Sequence, residues 1–155
     1  CIRDRTRPGH IISEPVTSSD LYPTCLAAFG ESLRPNPHRD GLNLKPLLEG
    51  EESLGREAIF WHFPHYNQHP SAVPSSVIRK RARKLIETFD PEGIELYNLE
   101  DDLSETTTLA AEQPERVAQL RGQLDAWRRH VGAQMMEPNP DYDPAVELKK
   151  KGRKK

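Results

Sequence analysis

Cysteine is scarce in this chain: Cys1 and Cys25 are the only two among 155 residues. Two cysteines cannot build the bridge framework of a disulfide-rich secreted domain, and they leave the redox compartment open. Aromatic residues are sparse as well, at 6%, and apolar residues reach 35% against 30% charged, with 14 prolines. A mean hydropathy of -0.78 sets the chain at the polar edge of globular composition, so parts of it are expected to stay unpacked. No apolar run approaches the ~20 residues of a membrane span, and no charged-then-apolar leader opens the chain. It begins at Cys1 rather than Met, amid polar residues, which reads as a piece cut from something longer. Localisation is therefore open on the sequence alone.

A strong charge of either sign is missing too. The formal net charge is -2, but the tail holds six positive residues (Lys149, Lys150, Lys151, Arg153, Lys154 and Lys155), which leaves -8 for residues 1 to 148. An acidic body argues against nucleic acid or an anionic membrane as partner, because phosphate binding needs a basic face. The tail itself reads as a solvated, disordered end.

What is present suggests one domain at most, since a chain of this length buries roughly two thirds of its unfolded surface. Thr17, Ser18 and Ser19 offer caps to a short helix from Asp20, with Pro23 in its first turn and Gly30 at its stop. Residues 42–50 form a short apolar turn. Glu57–Phe63 is dense in aromatic and β-branched residues and reads as a strand that Pro64 ends. A loop over 65–76 follows, then strands over 76–81 and 83–89, a turn at Asp90–Gly93 and a strand over 94–99. From Pro114, Val117, Leu120, Leu124, Trp127 and Val131 recur at steps of three and four, predicting one long amphipathic helix that ends at Gly132. The expected fold is α+β: an antiparallel sheet of about four strands under that helix, preceded by a short helix and loops. Trp61 and Trp127 are expected in the core.

Six segments, in order, resemble the end of the sulfatase family. Glu14–Thr24 is similar to the family's "pVtsvDlyPTlle", Ala27–Gly30 to "laG", Asp40–Gly50 to "DGvSLvPLLkG" and Arg56–Tyr66 to "reaLyWHyPHy". Ile78–Glu87 and Glu95–Thr106 resemble "irkgdwKLIe" and "eLYNLkdDpsEt". Departures stand at Arg81, Ala82, Leu103 and Thr108.

The resemblance implies a two-part sulfuric ester hydrolase, arylsulfatase-like, whose larger N-terminal domain holds a formylglycine nucleophile and calcium, and an exported, periplasmic or extracellular location. This chain would be the C-terminal piece. On that reading residues 1–53 connect to the missing domain, 54–133 form the C-terminal subdomain and 134–155 a basic tail. Its partners would be the missing N-terminal domain and a sulfated carbohydrate or aryl sulfate. The formylglycine motif is C/S-x-P-x-R, and neither Cys1 nor Cys25 is followed by that Pro and Arg. The piece alone is therefore expected to be inactive, with no catalytic residue, no metal ligand and no cofactor of its own. Asp101–Asp102 imitates the family's metal-binding Asp pair but reads as a solvated turn.

Three histidines carry what chemistry remains. His62, His65 and His69 suit contact with a sulfated sugar, a structural role or zinc, and His62 and His65 converge only if Pro64 bends the chain. Tyr66, Asn67 and Gln68 are residue types that bind sugars, and Tyr66 and Asn67 join the histidines as candidate substrate contacts. Arg79, Lys80, Arg81, Arg83 and Lys84 form a basic run that suits either a polyanionic glycan or the charged face of an edge strand. The alternative function is a non-catalytic module that binds sulfated polymers.

Overall fold

The structure, a computed structural model, describes residues 6, 9–34, 40–66 and 73–141. The chain divides into two compact units, Cys1–Ile59 and Phe60–Lys155.

In the first unit a short 3-10 turn, Ser18–Asp20, runs into helix α1, Leu21–Ala28, and a second helix, α2, spans Lys45–Glu49. The Thr17 N–H donates to Asp20 Oδ2 at 2.7 Å, so the carboxylate satisfies a donor that the helix start leaves orphaned. Pro23 sits in the first turn of α1, where its missing N–H removes no helical bond. Thr24 ties the two helices together: its hydroxyl donates to Asp20 O at 2.6 Å and accepts from the Leu44 N–H at 2.8 Å. Only glycine fits at 41, because a Cβ there would collide with the Ser19 carbonyl oxygen and lie 3.2 Å from Pro23 Cγ.

The second unit is built on strands β1 (Ile59–Phe63), β2 (Ser75–Lys80), β3 (Arg83–Phe89) and β4 (Glu92–Asn98), followed by helix α3 (Pro114–Val131). They form a four-stranded sheet in the order β1-β2-β3-β4, with antiparallel pairing that puts Ile78 opposite Leu85 and Leu85 opposite Leu96. Alternation sends those three toward α3, where Leu120 and Leu124 meet them, and all five are essentially inaccessible. This is the core. After β4 the chain returns along the outer edge of that strand, where Leu109 N–H donates to Leu96 O at 2.7 Å. Asp102 holds the turn before it by accepting the N–H groups of Thr106 and Thr107 at 2.8 and 2.9 Å. Those bonds, that of Thr107 foremost, hold its carboxyl below the usual range.

The fold class, the strands, both helix ends and the Asp101–Asp102 turn therefore stand where expected, and Gly132 closes α3 in the left-handed conformation at φ 64°. Three readings are corrected. Trp61 is not core but 45% exposed, because Phe60 takes the inward position of β1 and stacks on Trp127 at 4.9 Å between ring centroids. Val131 ends the apolar stripe 47% exposed, beyond the last turn that meets the sheet. The basic run spans the β2–β3 turn of interior strands rather than an edge strand. Within it Lys80 Nζ donates to Gln123 Oε1 at 3.2 Å and Lys84 pairs with Glu105 at 2.7 Å.

Candidate functional site

An open groove in the second unit runs between the residues that follow β1, the β3–β4 turn and the segment after α3. Pro64, His65 and Tyr66 form one side, Asp90, Glu92 and Gly93 another, and Gln134 to Asn139 a third. Glu87, Phe89, Arg121 and Arg128 also line it. Pro64 ends β1, as proline must where a ladder N–H is required, and turns His65 and Tyr66 out into this space.

His65 is exposed, its ring edge-on to Phe63 with centroids 5.6 Å apart. The Tyr66 hydroxyl donates to Asp90 Oδ2, linking the end of β1 to the turn between β3 and β4.

His62 does not join them. The Gln134 carbonyl can only accept, so Nε2, 2.7 Å away, carries a proton and donates to it. Nδ1 then accepts from the Ser76 hydroxyl at 2.6 Å, and that fully buried hydroxyl accepts in turn from Arg128 Nη1 at 3.3 Å. Both ring nitrogens are thereby used, and the ring edge packs on Phe89. His62 holds the groove wall in place rather than lining it. His69 and Asn67 lie outside the described residues. Among the described residues no group of three or more His, Cys, Asp or Glu could hold a metal ion.

Beneath the groove lies an ion network that the sequence reading missed. Glu87, only 6% exposed, receives Arg121 Nε at 2.8 Å and has Arg128 Nη2 at 2.7 Å from its second oxygen. Arg128 also donates to Asp125, and its guanidinium lies 5.8 Å from the Phe89 ring centroid. Burial pushes the Arg128 pKa down, but the carboxylates of Asp125 and Glu87 outweigh it and the net direction is up. The signal was available in the sequence. Glu87 alternates with inward-facing Leu85, and Arg128 adjoins Trp127 on the stripe of α3, so both were bound to meet inside. Arg121, half exposed, keeps one side toward the groove.

Chemically, the groove combines exposed guanidinium and imidazole donors with the carboxylates of Asp90, Glu92 and Glu137 and the apolar surfaces of Phe89 and Met135. Such a set can accept hydroxyls, pair with a sulfate and pack against a ring face.

Comparison with known proteins bears on this arrangement. The family described as N-sulphoglucosamine sulphohydrolase, C-terminal, matches residues 3–130. A sulfatase of Formosa agariphila is 34% identical over 130 residues, which is 74% of this chain but 23% of that protein. A structure solved in complex with its substrate, D-glucosamine-2-N,6-O-disulfate, aligns at TM-score 0.60 and 26% identity, over 71% of this chain and 23% of that one. A 2-O GAG sulfatase aligns at TM-score 0.63 over 81% of this chain and 27% of its own, and at 23% identity that likeness is one of fold. The chain thus spans about a quarter of the length of the proteins it resembles.

Proposed function

This chain belongs to the sulfatase family as its C-terminal part, and from that membership we propose that it is the C-terminal subdomain of an enzyme hydrolysing sulfate esters of carbohydrates. The single observation that carries the carbohydrate reading is the groove, whose mixture of cations, carboxylates and apolar surface suits a sulfated sugar better than a plain aryl sulfate. It is supported by the sulfated glucosamine held by one structural relative.

In this reading the larger part of the enzyme supplies the nucleophile, and residues 54–133 supply one wall of the cleft, with residues 1–53 as connection and 134–155 as tail. Formylglycine and calcium belong to that larger part. The described residues here do not fit either group: the sequence after Cys25 is Leu-Ala-Ala-Phe, without the required Pro and Arg, and no cluster of metal-ligating side chains is present among them. His65 and Tyr66 bind and orient the sugar at the groove mouth, and Arg121 attracts its sulfate. His62, Ser76 and Arg128 keep the wall rigid, which matters because a misplacement of about 1 Å in a cleft can cost about a hundredfold in rate.

The test is sulfate release measured by ion chromatography. The full-length protein releases sulfate from N- or O-sulfated glucosamine, and the 155-residue chain alone releases none. Release by the isolated chain, or none by the full-length protein on any sulfate ester, overturns the proposal.

A further inference from the structure

The β2–β3 ladder of the second unit ends in two pairings that a stable sheet avoids. Arg79 lies directly opposite Lys84, and Lys80 directly opposite Arg83. Like charges facing each other across a ladder are destabilising. The turn between them adds a second cost: Arg81 is exposed and left-handed at φ 54°, a conformation that penalises any residue with a Cβ. A cation thus stands where glycine would sit without strain, flanked by two pairs of cations.

The fold neutralises little of this charge. Lys84 is the exception, since both Glu105 carboxylate oxygens receive its ammonium, at 2.7 and 2.8 Å. Lys80 donates to the uncharged Gln123, and Arg79 leans its Nε toward the Arg81 carbonyl at 3.5 Å. Among the described residues Arg81 and Arg83 pair with no carboxylate. The bond from the Leu99 N–H to the Ala82 carbonyl brings the acidic turn 100–102 alongside, but Asp101 accepts from Asn98, and Asp102 from Thr106 and Thr107. At physiological ionic strength charges more than about 8 Å apart are largely screened, so this cluster, and not the acidic body, sets the field at the turn. At ~3.3 Å per residue, Arg83 at one end of β3 stands ~20 Å from Phe89, which lines the groove at the other. Only a ligand longer than a single sugar reaches both.

We propose that the β2–β3 turn is a second binding site, remote from the groove, for the anionic run of a sulfated glycan chain. Arg81 and Arg83 supply its free guanidinium groups, with Arg79 and Lys80 beside them. A guanidinium fork matches two oxygens of one sulfate, so it is the group suited to such a chain. Residues 79–84 hold no aromatic ring on which a base could stack, which favours a glycan over single-stranded nucleic acid. The cross-strand repulsion and the strained turn are then the cost of keeping cations together where a polyanion meets them. The inference rests on the sulfated-carbohydrate reading of the groove, and adds that the substrate is a chain held at two points rather than one sugar.

Arg81→Gly combined with Arg83→Gln in the full-length protein tests this. Glycine accepts the left-handed φ and glutamine removes the repulsion from Lys80, so the doubly substituted protein is expected to melt at or above the wild-type temperature. Its affinity for a heparin oligosaccharide, measured by isothermal titration calorimetry, is expected to fall about tenfold at ~0.15 M salt, and the dependence of log affinity on log salt to flatten, because fewer counterions are released. Unchanged heparin affinity overturns the proposal. So does a melting temperature well below wild type, which would make these cations structural, and so does wild-type protein binding single-stranded DNA of similar length as tightly as heparin. Sulfate release from sulfated glucosamine is assayed on the same wild-type sample. Release accompanied by unchanged heparin affinity in the variant sinks the second site alone, whereas no release counts against the reading of the groove whatever heparin does.

Discussion

Arg56 grips Asp20 through both terminal guanidinium nitrogens, and the carboxylate it holds is wholly inaccessible to solvent. The Leu42 and Thr17 N–H groups, at 2.8 and 2.7 Å, complete the shell around that carboxylate. Three separated stretches of the first unit therefore converge on one buried charge. Removing one partner from such a pair leaves the other uncompensated in a low dielectric, which is costlier than never having had the pair. Arg56→Ala is expected to destabilise the first unit by about 3 kcal/mol, read as a lowered midpoint in urea unfolding at pH 7.

The same pair sets a pH dependence. Burial alone would push the Asp20 carboxyl up, but the bonds from Arg56, Leu42 and Thr17 outweigh it and bring it from 3.8 down to about 2. A carboxyl whose folded pKa is depressed contributes stability that is present above the unfolded value and lost as pH falls through the folded one. The contribution is on the order of 2 kcal/mol. Stability followed by urea titration is expected to decline between about pH 4 and pH 2 for this reason, and Asp20→Asn should be less stable at pH 7 but flatter across that window. An equal decline in the Asn variant would assign the acid sensitivity to other groups.

Two glycines predict opposite signs. At Gly41 a methyl group would strike the Ser19 carbonyl, which belongs to backbone and cannot swing away. Gly41→Ala is expected to cost about 1–3 kcal/mol. Gly122 lies inside α3 with nothing within 4 Å of the added carbon. Gly122→Ala is therefore expected to raise stability by about 0.5–1 kcal/mol, through the unfolded chain's lost freedom and better helix propensity. Differential scanning calorimetry of the two variants checks both signs in one experiment.

These glycines also mark what the sequence did and did not disclose. The strands were legible from their β-branched and aromatic density and from the Pro and Gly residues that bound them, and α3 from apolar residues that recur at three and four. Gly132 was legible as a stop because it follows the last periodic residue, and Gly30 because glycine suits the left-handed conformation that ends a helix. Gly41 was not legible as a contact point, since its neighbour Ser19 is distant in sequence and only the fold brings them together. Trp61 was misread for a related reason: hydrophobicity alone assigns it to a core, and whether Phe60 or Trp61 faces inward depends on strand phase, which a five-residue strand fixes through its partners. The groove was half legible. Its rim residues His65 and Tyr66 followed from the proline that ends β1, while Glu87 and Arg128 beneath it went unread, although alternation with Leu85 and the stripe of α3 place both inside.

Ser76 gives a fourth prediction. Its hydroxyl is fully buried and connects His62 to Arg128, so Ser76→Ala would leave the imidazole Nδ1 and an arginine N–H without their partner. The expected loss is about 1–3 kcal/mol. Ser76→Val would add bulk to the same loss and should be worse. Amide exchange at residues 133–136 should quicken in Ser76→Ala, because the bond from His62 to the Gln134 carbonyl depends on a ring that Ser76 orients.

The proposed division of labour between the histidines can be separated kinetically in the full-length enzyme. His65 is exposed at the groove, its ring resting edge-on against Phe63, so His65→Ala should leave the melting temperature close to wild type. If it orients sugar in the ground state and transition state alike, KM rises with kcat nearly unchanged, by about tenfold for one lost hydrogen bond of about 1.4 kcal/mol. His62 is tied at both nitrogens, so His62→Ala should instead lower the melting temperature, with any kinetic change following from a loosened wall. His62→Gln, which can still accept at one end and donate at the other, should recover part of the stability, as a purely structural role requires. A result with the signs exchanged, His65→Ala unstable and His62→Ala altered only in KM, would move the substrate contact onto β1 and leave the groove mouth without a function.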